Sequence, residues 1–109
     1  MSWAPFVGSL RGSESGIVEI DEEHDCGARI TLERDAKIAP YAITCGIYGW
    51  MVHTRYFEDH DRARREYEAM KAGLGNILSI IPQRCDPDFN SKVDSVIKAI
   101  GDFVESFPT

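Results

Sequence analysis

The hydrophobic period of this chain changes once, at Glu58, and that change limits the folds open to it. Before Glu58 apolar residues alternate with polar ones; after it they recur every three or four positions. The first period belongs to strands and the second to helices. A run of strands followed by a run of helices has no strand–helix–strand crossover, so it predicts an α+β fold with an antiparallel sheet.

Ile17 to Glu23 alternates, with Val18 and Ile20 read on one side and Glu19, Asp21 and Glu23 on the other. Ala28 to Arg34 alternates as well, Ile30 and Leu32 against Arg29, Thr31 and Glu33. Between them lies His24-Asp25-Cys26-Gly27. A glycine there takes positive φ without penalty, which suits a short hairpin loop. Tyr41 to Phe57 is rich in aromatic and β-branched residues and reads as one long third strand, bent or bulged at Gly46 and Gly49. Both of its alternating sets are apolar: Ile43, Cys45, Ile47 and Met51 in one, Ala42, Tyr48, Trp50, Val52 and Tyr56 in the other. Such a strand is expected to be covered on both faces, the second by the N-terminal segment through Trp3 and Phe6 or by another copy of the chain, sheet against sheet.

From Glu58 onward Ala63, Tyr67, Met70, Leu74, Ile77, Leu78 and Ile81 form one helical stripe, stopped by Pro82. Gly73 and Gly75 weaken its middle and point to a kink or to close packing. Asp86-Pro87 resembles an N-cap followed by proline at the first helical position. Phe89, Val93, Val96, Ile97, Ile100, Phe103, Val104 and Phe107 make a second stripe. The expected architecture is a three-stranded antiparallel β-meander packed against a C-terminal antiparallel pair of amphipathic helices. A short N-terminal strand would add a fourth member. One domain spans 1–109: an N-terminal segment and loop at 1–16, the meander at 17–57 and a helical hairpin at 58–107.

The 109 residues are 43% hydrophobic and 28% charged, with a formal net charge of -6. An acidic chain is poorly suited to nucleic acid or anionic membranes, so neither is an expected partner. Three cysteines without a C-x-x-C pair predict no disulfide framework and a reducing, cytoplasmic compartment. The N-terminus lacks the basic start and apolar run of a signal peptide, and no stretch approaches the roughly 20 apolar residues needed to span a bilayer.

His24, Asp25 and Cys26 offer imidazole, carboxylate and thiolate, all ligands of transition metals. A zinc site ordinarily takes four ligands and no matching pair lies nearby in sequence, so no metal or other cofactor is expected. Cys26 stands among acids that raise a thiol pKa, and Cys45 reads as a buried small hydrophobe, so neither looks like a nucleophile. Glu58, Asp59 and Asp61 suit the positive end of a helix dipole, and Arg62, Arg64 and Arg65 suit ion pairs along a wet helix face.

Tyr48, Trp50, His53, Arg55 and Tyr56 are the candidate interface or ligand-binding residues. Excess aromatic surface without a catalytic constellation predicts a non-catalytic interaction or regulatory protein acting as a homodimer, sheet against sheet, with a further protein partner. The alternative is a small-molecule-binding protein or enzyme, with a pocket between the third strand and the helices lined by Tyr48, Trp50, Met51 and His53.

Overall fold

The computed structural model describes residues 2–8 and 10–109. Met1 and Ser9, both within the expected N-terminal segment and loop, lie outside the described residues. The order of elements is β1 (Trp3–Pro5), β2 (Ile17–His24), β3 (Ala28–Arg34), β4 (Tyr41–Ile47), β5 (Met51–Phe57), α1 (His60–Leu78) and α2 (Phe89–Ser106). The strands form one five-stranded sheet in sequential order, every neighbouring pair antiparallel. The α+β class with an antiparallel meander is therefore as expected, and the short N-terminal strand is present as β1.

The strand count is not the expected three. What reads as one third strand is the β4–β5 hairpin. Its turn is Tyr48-Gly49-Trp50, closed by the Trp50 N–H donating to the Ile47 carbonyl at 2.9 Å. Gly49 holds φ at 83°, in the left-handed region that a side chain disfavours. Ile47 then pairs with Met51 and Tyr41 with Phe57.

A second departure lies in β2. The register slips between Val18 and Ile20, where Glu19 is the extra residue of a bulge. Val18 pairs with Glu33 and Ile20 with Leu32, so the two apolar residues point to opposite faces rather than sharing one. The same slip turns Glu22 toward the helices.

The core lies between the sheet and α1. Ile30, Leu32, Ile43, Cys45, Ile47 and Phe57 meet Ala63, Tyr67, Met70, Leu74 and Ile77, the expected stripe of α1. Each fully buried Leu, Ile or Met there stabilises the fold by roughly 1.5–3 kcal/mol. Asp59 caps α1, its Oδ2 accepting from the Arg62 N–H at 2.9 Å. The helix ends at Leu78, ahead of Pro82. For α2 the cap is Asp88 rather than Asp86, and Pro87 precedes it. Asp86 instead accepts from the Asp88 N–H at 2.8 Å and the Lys92 ammonium at 2.5 Å, bracing the entry to the helix. A Cβ at Gly73 would stand 2.9 Å from the Phe103 ring, so this glycine is where α2 closes onto α1. Among the described residues no helix is long and apolar enough to cross a membrane.

Candidate functional site

Both helices lie on one face of the sheet, and the other face is built in rows that run across the strands. One row is Asp21, Thr31, Thr44 and Thr54, each paired in register with the next. A second is Glu23, Arg29, Gly46 and Val52, and a third is Val18, Glu33, Ala42 and Tyr56. Its charges are largely matched. Arg29 donates to Asp21 through Nε at 2.9 Å and Nη2 at 2.6 Å, and Thr31 donates to the same carboxylate at 3.1 Å. The Asp21 bond holds the Arg29 guanidinium above its ordinary pKa, and its Cζ lies 3.8 Å from the Phe6 ring centroid. Tyr48 donates to Glu23 at 2.6 Å, a bond that pushes its phenol up.

The loop 11–16 folds over one end of this face. Glu33, fully buried, accepts the backbone N–H groups of Glu14 at 3.2 Å and Gly16 at 3.0 Å. Tyr56 donates to the Glu14 carboxylate, and Ser13, Thr44 and Thr54 form a chain of hydroxyls. Between this loop and the β4–β5 turn lies an open cavity of about 740 Å³. Arg11, Arg29, Thr31 and Thr44 supply its polar lining, and Val18, Tyr48, Trp50 and Val52 its apolar lining. Gly46 keeps the floor low. A Cβ there would sit 3.0 Å from the Met51 carbonyl and 3.6 Å from Val52. Val52 is 80% exposed and Tyr48 55%, and on the adjoining arm Leu10 is 85% and Val7 97% exposed.

The five candidate residues do not converge. Tyr48 stands in the turn, and Trp50, beside it, packs against the core. Tyr56 lies on the outer face, at the far end of β5. His53 and Arg55 lie on the helix face, where both hold the end of the chain. The His53 Nε2–H donates to the Phe107 carbonyl at 2.6 Å, and the Arg55 Nε–H to the Pro108 carbonyl at 2.9 Å. Arg55 also donates to Glu66 of α1 at 2.8 Å. Sequence reasoning missed the cavity's other wall: Arg11, Val18, Arg29, Thr31 and Thr44 come from four elements, the loop 11–16, β2, β3 and β4. The alternating set that holds Tyr48 and Val52 was the one signal pointing to it.

On the helix face a polar cluster is sealed against the core. Glu22 accepts from the Tyr67 hydroxyl at 2.7 Å and from Lys71 at 2.9 Å. Burial alone would raise the Glu22 carboxyl, but the Lys71 and Tyr67 bonds outweigh it and hold it below its ordinary 4.5. Burial, then the Glu22 bond, pushes the Tyr67 phenol well above its ordinary 10.0. Burial pushes the Cys45 thiol from 9.0 up to about 12, which fits a thiol packed as a hydrophobe.

These shifts give stability a defined pH window. The unfolded chain protonates Glu22 more readily than the folded one, so stability is lost as pH falls through 4.5 and below. The unfolded chain deprotonates Cys45 and Tyr67 first, so stability is lost as pH rises past 9.0 and then past 10.0. Urea midpoints measured from pH 3 to pH 11 (a range of about eight units around these values) are expected to trace a plateau with two falling limbs. Tyr67→Phe should flatten the upper part of the alkaline limb and also shrink the acid limb, since it removes one of the two bonds that lower Glu22 and leaves Lys71 to supply the rest. An alkaline limb of unchanged slope in that variant would refute the assignment.

Comparison with protein-family models, with curated proteins and with solved structures finds no match for this chain.

Proposed function

We propose that the chain is a non-catalytic interaction protein that acts as a homodimer, with the outer face of its sheet as the docking surface. The observation that carries this reading is the pairing, on one face, of exposed apolar residues with a cavity lined in part by apolar side chains. Val7 and Leu10 stand out on the arm, and Val18, Val52 and Trp50 line the cavity beside it. A surface carrying both a protrusion and a recess can seat a second copy about a two-fold axis, the commonest symmetry of homo-oligomers. A net charge of -6 opposes association of two copies, so apolar contact must drive it.

The charged groups on this face support binding over catalysis. Asp21 is matched by Arg29, Glu23 is matched by Tyr48, and Glu33 is spent on backbone N–H groups. A general acid or base needs a proton within reach of a substrate. Three cysteines without a C-x-x-C pair suit a reducing, cytoplasmic compartment.

Sedimentation velocity at micromolar concentrations is expected to give a dimer for the wild-type chain. Val52→Asp and Leu10→Asp are expected to give monomers with an unchanged melting temperature, since both side chains are exposed within one copy. A wild-type monomer throughout the micromolar range would sink the homodimer.

A second reading is small-molecule binding. It draws on the Thr31 and Thr44 hydroxyls and the Arg11 guanidinium beside an apolar wall, a mixture common in ligand sites. Its pocket would be on the outer face, whereas the sequence pointed to the space between strand and helices. Native mass spectrometry showing a retained non-protein mass on a monomer would favour it over the dimer.

A further inference from the structure

We propose that the β2–β3 turn binds a divalent ion of the zinc class through an imidazole nitrogen of His24, a carboxylate oxygen of Asp25 and the thiolate of Cys26. Donor atoms of these three residues lie within 4.8 Å of one another. The tightest pair is His24 Nδ1 and Asp25 Oδ1, 3.2 Å apart. Two ligands on a tetrahedral zinc ion, each at about 2.0 Å, stand about 3.3 Å apart. That pair already has the spacing of a coordination edge. Cys26 is exposed, with its sulfur within 4.8 Å of the other two donor atoms.

The turn is held in shape independently of any ion. The Gly27 N–H donates to the His24 carbonyl at 2.9 Å with Gly27 at a φ of 104°. The Tyr48 N–H donates to the Gly27 carbonyl at 2.9 Å, tying the turn to its neighbour. The Ser2 N–H donates to Asp25 Oδ1 at 3.2 Å, and Trp3 meets the His24 ring edge-on at 5.1 Å between centroids. His24 is thereby fixed in rotamer, which lowers the ordering cost of binding.

The lone pair of Nδ1 faces the turn, where the Cys26 N–H donates to it at 3.0 Å. An ion there takes the place of that hydrogen, and the Cys26 thiol gives its proton to solvent. Nitrogen, oxygen and sulfur together select a borderline-soft ion over magnesium or calcium, which prefer oxygen alone. Three protein ligands on an exposed turn leave a coordination position open to water or to a group from another molecule.

Cobalt(II) is the spectroscopic probe and zinc(II) the competitor, on the full chain. One equivalent of cobalt is expected to produce a thiolate-to-cobalt charge-transfer band that zinc abolishes. Cys26→Ser should lack the band and Cys85→Ser should keep it. Zinc should slow alkylation of Cys26 by at least about tenfold, because the bound thiolate is no longer the free nucleophile, and leave Cys85 unchanged. Both cysteines are exposed, so neither variant threatens the fold. No band with cobalt, a band that survives Cys26→Ser, or equal alkylation of Cys26 with and without zinc would each overturn the site.

Discussion

Arg55→Ala is expected to cost about 3 kcal/mol of stability and to release the C-terminal end of α2. Arg55 is 4% exposed, on the core side of an edge strand. Its guanidinium makes three kinds of contact at once. It pairs with Glu66 of α1 at 2.8 Å, donates to the Pro108 carbonyl at 2.9 Å, and lies 4.8 Å and 5.5 Å from the Phe57 and Phe107 ring centroids. Breaking a buried ion pair costs about 3–5 kcal/mol when the remaining charge is stranded. Glu66 is 29% exposed and water relieves its stranded charge, which brings the ion-pair loss below that range, to about 2 kcal/mol. Two cation–π contacts add about 0.5–1 kcal/mol each, less what the neighbouring Arg62 retains over Phe57. In a chain of this size the loss lowers the melting temperature by roughly 10–20 °C.

Arg55→Lys separates charge from shape. An ammonium keeps the charge but cannot reach Glu66 and the Pro108 carbonyl in one fork, nor lie flat on the rings. About half the loss is expected to remain. Faster hydrogen exchange at the Phe107 amide, which closes onto the Phe103 carbonyl at 3.0 Å, would report the freed tail. His53 grips the neighbouring carbonyl, so its alanine variant and Arg55→Ala should combine non-additively. A change within about 0.5 kcal/mol for Arg55→Ala would mean that Phe103 and Phe107 anchor α2 without it.

Nothing in the residues around Arg55 marks it as a structural anchor. The apolar stripes of both helices, the β2–β3 hairpin and the closing role of Gly27 were all legible, because each depends on neighbours within a few residues. The partners of Arg55 lie 11 and 53 positions away, and those of Glu22 lie 45 and 49 away. Local pattern assigns such charges to solvent by default. The β4–β5 turn was hidden for a different reason. It carries Tyr48 and Trp50 where hairpin turns usually show Asn-Gly, because both aromatics have other partners: Trp50 the core and Tyr48 the Glu23 carboxylate. The bulge at Glu19 leaves no mark at all, since Val18 and Ile20 alternate in sequence whether or not an extra residue lies between them.

The outer face follows the same logic. Once β4 and β5 are separate strands, the second apolar set no longer forms a continuous stripe. Ala42 is covered, Tyr56 is tied to Glu14, and only Val52 and Tyr48 remain as an exposed apolar surface beside the cavity. The excess aromatic content that pointed to an interface is thus partly structural. What remains is smaller and sits at one end of the sheet, where the arm with Val7 and Leu10 adjoins it. That arm is tied to β2 where the Leu10 carbonyl accepts from the Val18 N–H at 2.9 Å, and it leads into the loop 11–16, which Glu33 anchors.

Glu33→Ala is expected to cost about 2–3 kcal/mol and to loosen the loop 11–16 from the sheet. The Glu33 carboxylate is fully buried and accepts from two backbone N–H groups, of Glu14 and Gly16. Those bonds offset a local cost: Ser15 holds φ at 64°, a left-handed conformation worth about 1–2 kcal/mol in a residue with a side chain. The fit is close. A Cβ on Gly12 would stand 2.1 Å from Glu33 Cδ, and one on Gly16 would stand 2.7 Å from the Arg34 carbonyl. Without the carboxylate both N–H groups lose their acceptor, and the loop regains them only by lifting into water. Amide exchange at Glu14 and Gly16 should then rise by at least about tenfold, while amides of α1 change only with global stability. Glu33→Gln distinguishes charge from shape: Oε1 accepts from both Glu14 and Gly16, so an amide oxygen there keeps both bonds, and only the 3.4 Å approach of the Glu14 N–H to Oε2 would face the NH₂, so most of the cost should be avoided. A loosened loop also moves the arm bearing Leu10. If the dimer forms through that arm, Glu33→Ala should weaken association measured by sedimentation, although Glu33 itself is buried within one copy. Unchanged exchange at Gly16 would show that Tyr56 and the hydroxyl chain through Ser13 hold the loop without Glu33.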